Sequence, residues 1–158
     1  MNPDTPKPLD EDRSRLLAAE IDSKPHQPFA NAHRGLLHLQ EPGDYVQGFV
    51  VIAGSPFNPH EHAWLETEGA IVDPSAVHLQ QPASALHYFP AQRLSKVALQ
   101  QAIETAREDY PEDDPLPIYG DAPYAYYGDL MLGGKDYQQA HRQAEVFTQL
   151  LSQQGDQN

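Results

Sequence analysis

The sequence predicts an α+β domain with a mainly antiparallel sheet. Apolar residues recur at helical spacing near both ends, and short β-rich segments bounded by Gly and Pro fill the middle. Helices, then strands, then helices is the order typical of this class. A length of 158 residues fits one domain with one core. We therefore expect a disordered tail at 1–10, a single domain over 11–152 and a second disordered tail at 153–158.

Local patterns justify each element in turn. The predicted elements are helices over 11–21 and 29–40, a strand from Tyr45 to Ala53, a hairpin over 61–75, a strand over 84–90, and helices over 94–109 and 135–154. Ser95 is the predicted N-cap of the helix that follows it, and the residues predicted to face inward are Val97, Leu99, Ile103 and Ala106. The last helix is predicted to bury Tyr137, Ala140, Ala144, Phe147, Leu150 and Leu151.

Composition excludes several classes of function. The net charge of −13 comes from 10 basic and 23 acidic residues, and it argues against nucleic acid, whose phosphates require basic patches. The absence of cysteine rules out disulfides, thiolate metal sites and a cysteine nucleophile. No apolar run is long enough to span a membrane, and the N-terminal stretch lacks the apolar region of a secretory signal. We expect a soluble, cytoplasmic protein. Solubility or adaptation to a salty cytoplasm explains the acidic surface, and a basic protein or peptide partner is the alternative explanation.

The hairpin "HEHAWLETEGAIVDPS" holds the candidate catalytic residues. Because side chains alternate along a strand, His62, Trp64 and Glu66 share one face. A two-residue turn at 68–69 would pair Trp64 with Asp73 and put His62 one diagonal step from that carboxylate. A four-residue loop at 66–69 would instead put His62 directly opposite Asp73, and either loop keeps both on one face. Diagonal neighbours lie about 7–8 Å apart at Cα, within reach of a hydrogen bond. The spacing predicts either an oriented histidine base or two polar groups that satisfy each other.

The same segment resembles a known family. "EHAWLETEGAIVDPS" is similar to the His-Ala-Trp … Val-Asp-Pro-Ser/Thr block of papain-like and transglutaminase-like proteins. Upstream, "QPFANAHRGLL" resembles the Gln-Cys-x-x-Asn-Ala helix start of small bacterial members. The segment "YVQGFVV" resembles the Tyr-Val-Glu-Gly strand of the same members. The resemblance covers roughly 24–95 and implies the architecture of that superfamily. It implies His62 as base, Asp73 as its orienting acid, Gln27 near the oxyanion position and Asn31 one turn into the helix. The nucleophilic cysteine of the family falls on Pro28.

Proline at that position removes the expected chemistry. Its side chain is not nucleophilic, the chain has no cysteine to compensate, and Ser23 lies five residues out of register. We therefore expect a catalytically inactive relative that binds a peptide or protein in the remnant cleft. The predicted floor of that cleft consists of His62, Trp64, Asp73, Gln27 and Asn31. The alternative is a hydrolase in which His62 and Asp73 activate water.

A metal site is the third possibility. The spacing of Gly54, His60, His62 and Glu66 matches the start of the first cupin motif, in which two histidines and a glutamate bind a divalent transition metal. The motif's glycine should follow at a longer spacing, and Gly69 comes too early. The second cupin motif is absent. We expect no cofactor, and keep His60, His62 and Glu66 as the alternative metal ligands.

Overall fold

The computed structural model describes residues 7–53, 59–116, 124–127 and 130–156. The elements are α1 (Glu11–Ile21), α2 (Pro28–His38), β1 (Asp44–Ile52), β2 (Pro59–Glu66), β3 (Ile71–Val72), α3 (Ala76–Leu79), β4 (Leu86–Leu94), α4 (Lys96–Asp109), β5 (Tyr124–Tyr127), β6 (Leu130–Gly133) and α5 (Gly134–Asp156). An N-terminal helix pair, a curled antiparallel sheet of four strands and a C-terminal helix make this an α+β protein. None of the helices in the described part of the chain is both long and apolar enough to cross a bilayer.

The four-stranded sheet separates the chain into distinct packing layers. Its strand order is β3-β2-β1-β4, so β1 and β2 are internal and β4 forms one edge. Ala63 and Leu65 point to one face and pack in a core cluster with α1 and α2. The opposite face carries Trp64 and Tyr88, which belong to a second cluster. Phe49 packs against α5 in a third cluster. Alternation along β2 therefore assigns His62 to the face of Trp64, away from α2.

The N-cap of α4 is the predicted Ser95, but two predicted core positions are wrong. The side chain of Ser95 accepts a hydrogen bond from the backbone N–H of Ala98, as expected of an N-cap. In α4 the buried stripe runs through Leu99 and Ile103, whereas Val97 is 64% exposed. Leu150 of α5 is likewise 51% exposed. Val97 lies well away, around the helix axis, from Leu99 and Ile103.

Backbone hydrogen bonds join the segment at 7–10 to β3. Residues 7–10, which the sequence assigned to a disordered tail, run beside β3. Asp10 donates its backbone N–H to the carbonyl of Ile71 at 2.9 Å, and Ile71 donates to the carbonyl of Pro8 at 2.8 Å. The short β3 leaves backbone groups that this segment satisfies. At the other end, α5 continues to Asp156, two residues beyond the predicted helix over 135–154. Residues 1–6 and 157–158 lie outside the described chain.

Candidate functional site

The hairpin has the register that a two-residue turn predicts. Leu65 pairs with Val72 and Glu66 with Ile71. The backbone N–H of Thr67 donates to the carbonyl of Ala70 at 2.9 Å, which leaves only residues 68–69 in the turn. Asp73 therefore follows β3 on the same face of the sheet as His62.

His62 and Asp73, called the dyad below, form a buried hydrogen-bonded pair. The imidazole Nε2 lies 2.7 Å from the carboxylate Oδ2. His62 is 4% exposed and Asp73 is fully buried. This contact fixes the ring and directs Nε2 to the carboxylate. The dyad thus has the orientation expected of a histidine base, in a site that water barely reaches.

Asp73 is the centre of a larger polar network. The hydroxyl of Tyr88 donates to the same carboxylate oxygen as His62 at 2.8 Å, and the backbone N–H of Ser75 donates to Oδ1 at 2.9 Å. The backbone N–H of Asp73 itself donates to the hydroxyl of Ser14 at 2.9 Å. Burial, followed by the negative charge of Asp73 and its hydrogen bond, raises the pKa of Tyr88. Tyr88 therefore remains a protonated donor at neutral pH.

Two aromatic rings pack beside the dyad. The rings of His62 and Trp64 stack with centroids 6.2 Å apart, and Tyr88 meets Trp64 edge-on at 4.9 Å. Trp64 is fully buried, yet within the described chain its indole N–H has no acceptor. An unsatisfied buried donor costs about 1–3 kcal/mol. The polar network and the aromatic pair are thus in contact with each other, and the indole N–H of Trp64 is the donor among them that has no acceptor in the described chain.

The residues assigned to the start of α2 have different environments. Pro28 is the first residue of α2 and is half-buried, and Gln27 is exposed with no side-chain cap bond. Asn31 is fully buried, and its amide bonds both the N–H and the C=O of Lys24 as well as the hydroxyl of Ser75. It ties a loop to the Asp73 turn. The structure thus groups His62, Trp64 and Asp73, links Asn31 to them through Ser75, and leaves Gln27 at the surface.

Ser23, the candidate substitute nucleophile, has a different partner. Its hydroxyl lies 2.9 Å from Nε2 of His78, not beside the dyad. Both side chains are half-buried. Nε2 of His62 is directed to Asp73, so the structure shows no bond between Ser23 and the dyad.

The alternative metal ligands do not converge. His60 is exposed, whereas His62 is occupied by Asp73. Glu66 accepts two hydrogen bonds from Arg93, each at 3.3 Å, and lies 3.8 Å from the ammonium of Lys7. Among the residues described, no three His, Cys, Asp or Glu side chains cluster closely enough to hold a metal ion.

A pocket of about 630 Å³ opens beside the dyad, and we call it the β4 pocket. Its lining residues are Lys7, Trp64, Glu66, Ile71, Tyr88, Phe89, Pro90, Ala91, Arg93, Asp136, Gln139, Ala140 and Gln143. It lies along the edge strand β4, between the aromatic pair and the first turns of α5. His62 and Asp73 do not line it and contact its wall from behind, through Trp64 and Tyr88.

Sequence reasoning found the dyad and Trp64 but missed three neighbours. Ser75 could have been found, because Asp-Pro-Ser commonly forms a turn in which the aspartate accepts the serine N–H. Tyr88 and Arg93 lie on a strand whose register the sequence does not reveal. Comparison with family models, curated proteins and solved structures finds no match to this chain. The function is therefore inferred from the geometry of the site.

Proposed function

We propose that this chain is a papain-like or transglutaminase-like protein that lacks a nucleophile and binds a peptide. Two observations support the proposal. The elements follow the order helix, strand, histidine strand and aspartate strand, and a hydrogen bond joins the two residues of the dyad. Pro28 begins the helix at the position where the resemblance expects cysteine, and no cysteine exists in the 158 residues. Without a nucleophile, the dyad has no side chain to activate.

The β4 pocket is the proposed binding site, and it is the observation that carries the proposal. Its volume lies within the range typical of ligand sites, and Trp64 and Tyr88 give it an apolar wall. β4 ends the sheet, so an extended peptide can add along its outer edge while Gln139 and Gln143 bond the peptide backbone. The dyad then acts as a support, because His62 stacks on Trp64 and Asp73 holds the Tyr88 hydroxyl.

A matched pair of variants on α5 tests this site. Gln139 lines the pocket, whereas its neighbour Gln138 is exposed and does not. Peptides selected on the wild-type chain from a random displayed library should bind Gln138→Phe unchanged and Gln139→Phe about tenfold more weakly or worse. Affinity is measured through the fluorescence of Trp64, the single tryptophan of the chain. The proposal fails if no peptide is selected, or if both variants bind as the wild type does.

The same peptides decide a second candidate function, hydrolysis by water that His62 activates. The observation favouring it is the carboxylate held on Nε2, which leaves Nδ1 as the basic nitrogen. Incubation of the selected peptides with the chain, followed by mass spectrometry, should show no cleavage under the binding proposal. Cleavage by the wild type that disappears in His62→Ala would establish the hydrolase instead.

A further inference from the structure

We infer that the β4 pocket recognises the free C-terminal carboxylate of its peptide, an inference that rests on the proposed peptide-binding function. The chain is strongly acidic, with 10 basic residues against 23 acidic ones. Two of those basic residues, Lys7 and Arg93, nevertheless line this one pocket. The acids Glu66 and Asp136 line the pocket as well, so an anionic ligand group is favoured at the exposed edge of the Arg93 guanidinium rather than by the net charge of the pocket.

The guanidinium of Arg93 is held in position by a buried acid. Its Nε and Nη2 lie 3.3 Å from Oε1 and Oε2 of Glu66, a side-on contact that leaves Nη1 without a bond in the described part of the chain. Glu66 is only 7% exposed, whereas the Arg93 side chain is 50% exposed. Arginine fixed on one edge and open on the other is suited to a second carboxylate.

The ammonium of Lys7 is a second cation near the Glu66 carboxylate that holds Arg93. Its ammonium donates to the carbonyl of Thr67 at 2.6 Å and lies 3.8 Å from Oε1 of Glu66. Lys7 and Arg93 together balance the formal charges of Glu66 and Asp136. Asp136 also lines the pocket, but it lies in the first turn of α5, where the helix end compensates a negative charge.

The indole of Trp64 lines the pocket but is fully buried, so its N–H does not reach a ligand and the ring contributes only apolar wall. Because Trp64 and Tyr88 also form an apolar wall, the ligand should carry a side chain next to its carboxylate. A peptide C-terminus has this arrangement, whereas a bare small acid lacks the side chain and backbone.

The experiment compares two pools of N-acetylated peptides whose last three residues are random, one with a free carboxylate and one with a carboxamide. The probe signal is the indole N–H resonance of Trp64, which is unique because the chain has one tryptophan. The acid pool should shift and saturate this resonance at least tenfold below the concentration that the amide pool requires. Arg93→Gln and Lys7→Gln should each reduce the preference for the acid, whereas Arg142→Gln, an exposed arginine of α5 outside the pocket, should not.

The possible results separate the inference from the proposed function. If acids and amides shift the Trp64 resonance alike, the carboxylate inference is overturned while the peptide site stands. If acetate or benzoate shifts the resonance as strongly as the acid pool, the ligand is a small acid and the inference is again wrong. If neither pool affects Trp64, both the inference and the proposed function fail. A folded spectrum of Arg93→Gln ensures that lost binding is not lost structure, and Lys7→Gln provides the independent second variant.

Discussion

Replacing Asp73 with alanine is expected to lower the free energy of unfolding by about 3–5 kcal/mol, the loss typical when one partner of a buried polar pair is removed. The carboxylate is fully buried and accepts from His62, Tyr88 and the backbone of Ser75. Without it, all three donors remain buried and unsatisfied, and each such group carries a cost of about 1–3 kcal/mol. The loss should therefore exceed that of most single core substitutions.

Urea denaturation of three variants measures this effect. Asp113→Ala changes an exposed loop aspartate and should leave the unfolding free energy within about 0.5 kcal/mol of the wild type. His62→Ala should cost less than Asp73→Ala, because Asp73 keeps its bonds to Tyr88 and Ser75 when the imidazole is absent. Equal losses for the two dyad variants would contradict the role of Asp73 as the centre of the network. So would an Asp73→Ala protein as stable as the control.

The expected order of these losses bears on what the dyad does. A catalytic histidine requires access to substrate, yet His62 is 4% exposed and does not line the β4 pocket. Its ring contacts Trp64, and its carboxylate partner holds Tyr88, so the dyad fixes two residues of the pocket wall. An arrangement that looks catalytic in the sequence can thus serve to position a binding surface. A catalytic histidine must be reached by substrate, whereas a histidine that positions its neighbours can be buried, as His62 is.

The dyad could be predicted because its geometry is local. His62 and Asp73 are eleven residues apart in one hairpin, and strand alternation with an even turn places them on one face. The segment at 7–10 could not be assigned in the same way. Its Pro-rich composition is typical of disorder, and only the unpaired edge of β3, about sixty residues later, gives its backbone partners.

Tyr88 was missed because its position depends on a non-local irregularity. It lies on β4, which pairs with β1, and the register of these strands shifts between Gln47 and Gly48. On the C-terminal side of the shift in β1, Val50 pairs with Tyr88, and on its N-terminal side Val46 pairs with Arg93. A bulge of this kind changes which residues share a face, and nothing in the alternation of "LHYFPAQRL" announces it. The pocket's polar lining could therefore not be derived from the sequence.

The bulge also explains why β1 carries glycine at position 48. A Cβ placed on Gly48 would lie 2.1 Å from the carbonyl oxygen of Phe89, 2.9 Å from the backbone nitrogen of Ala91 and 3.0 Å from Cα of Pro90. These are backbone atoms of β4, so they cannot move aside without breaking the pairing of the two strands. Glycine is thus required by close approach of the neighbouring strand rather than by an unusual backbone angle.

Gly48→Ala is accordingly expected to lower the free energy of unfolding by about 3 kcal/mol or more, at the upper end of overpacking effects. The matched control is Gly35→Ala in α2, whose Cβ would meet only side-chain ends, at 3.1 Å from Leu17 and 3.2 Å from Leu65. Helical alanine is favoured over glycine by about 0.5–1 kcal/mol, so this control should change stability by no more than about 1 kcal/mol. Because Phe89, Pro90 and Ala91 line the β4 pocket, any Gly48→Ala protein that folds should also bind the selected peptides more weakly. A Gly48→Ala protein with wild-type stability and affinity would show that the bulge neither constrains the sheet nor shapes the pocket.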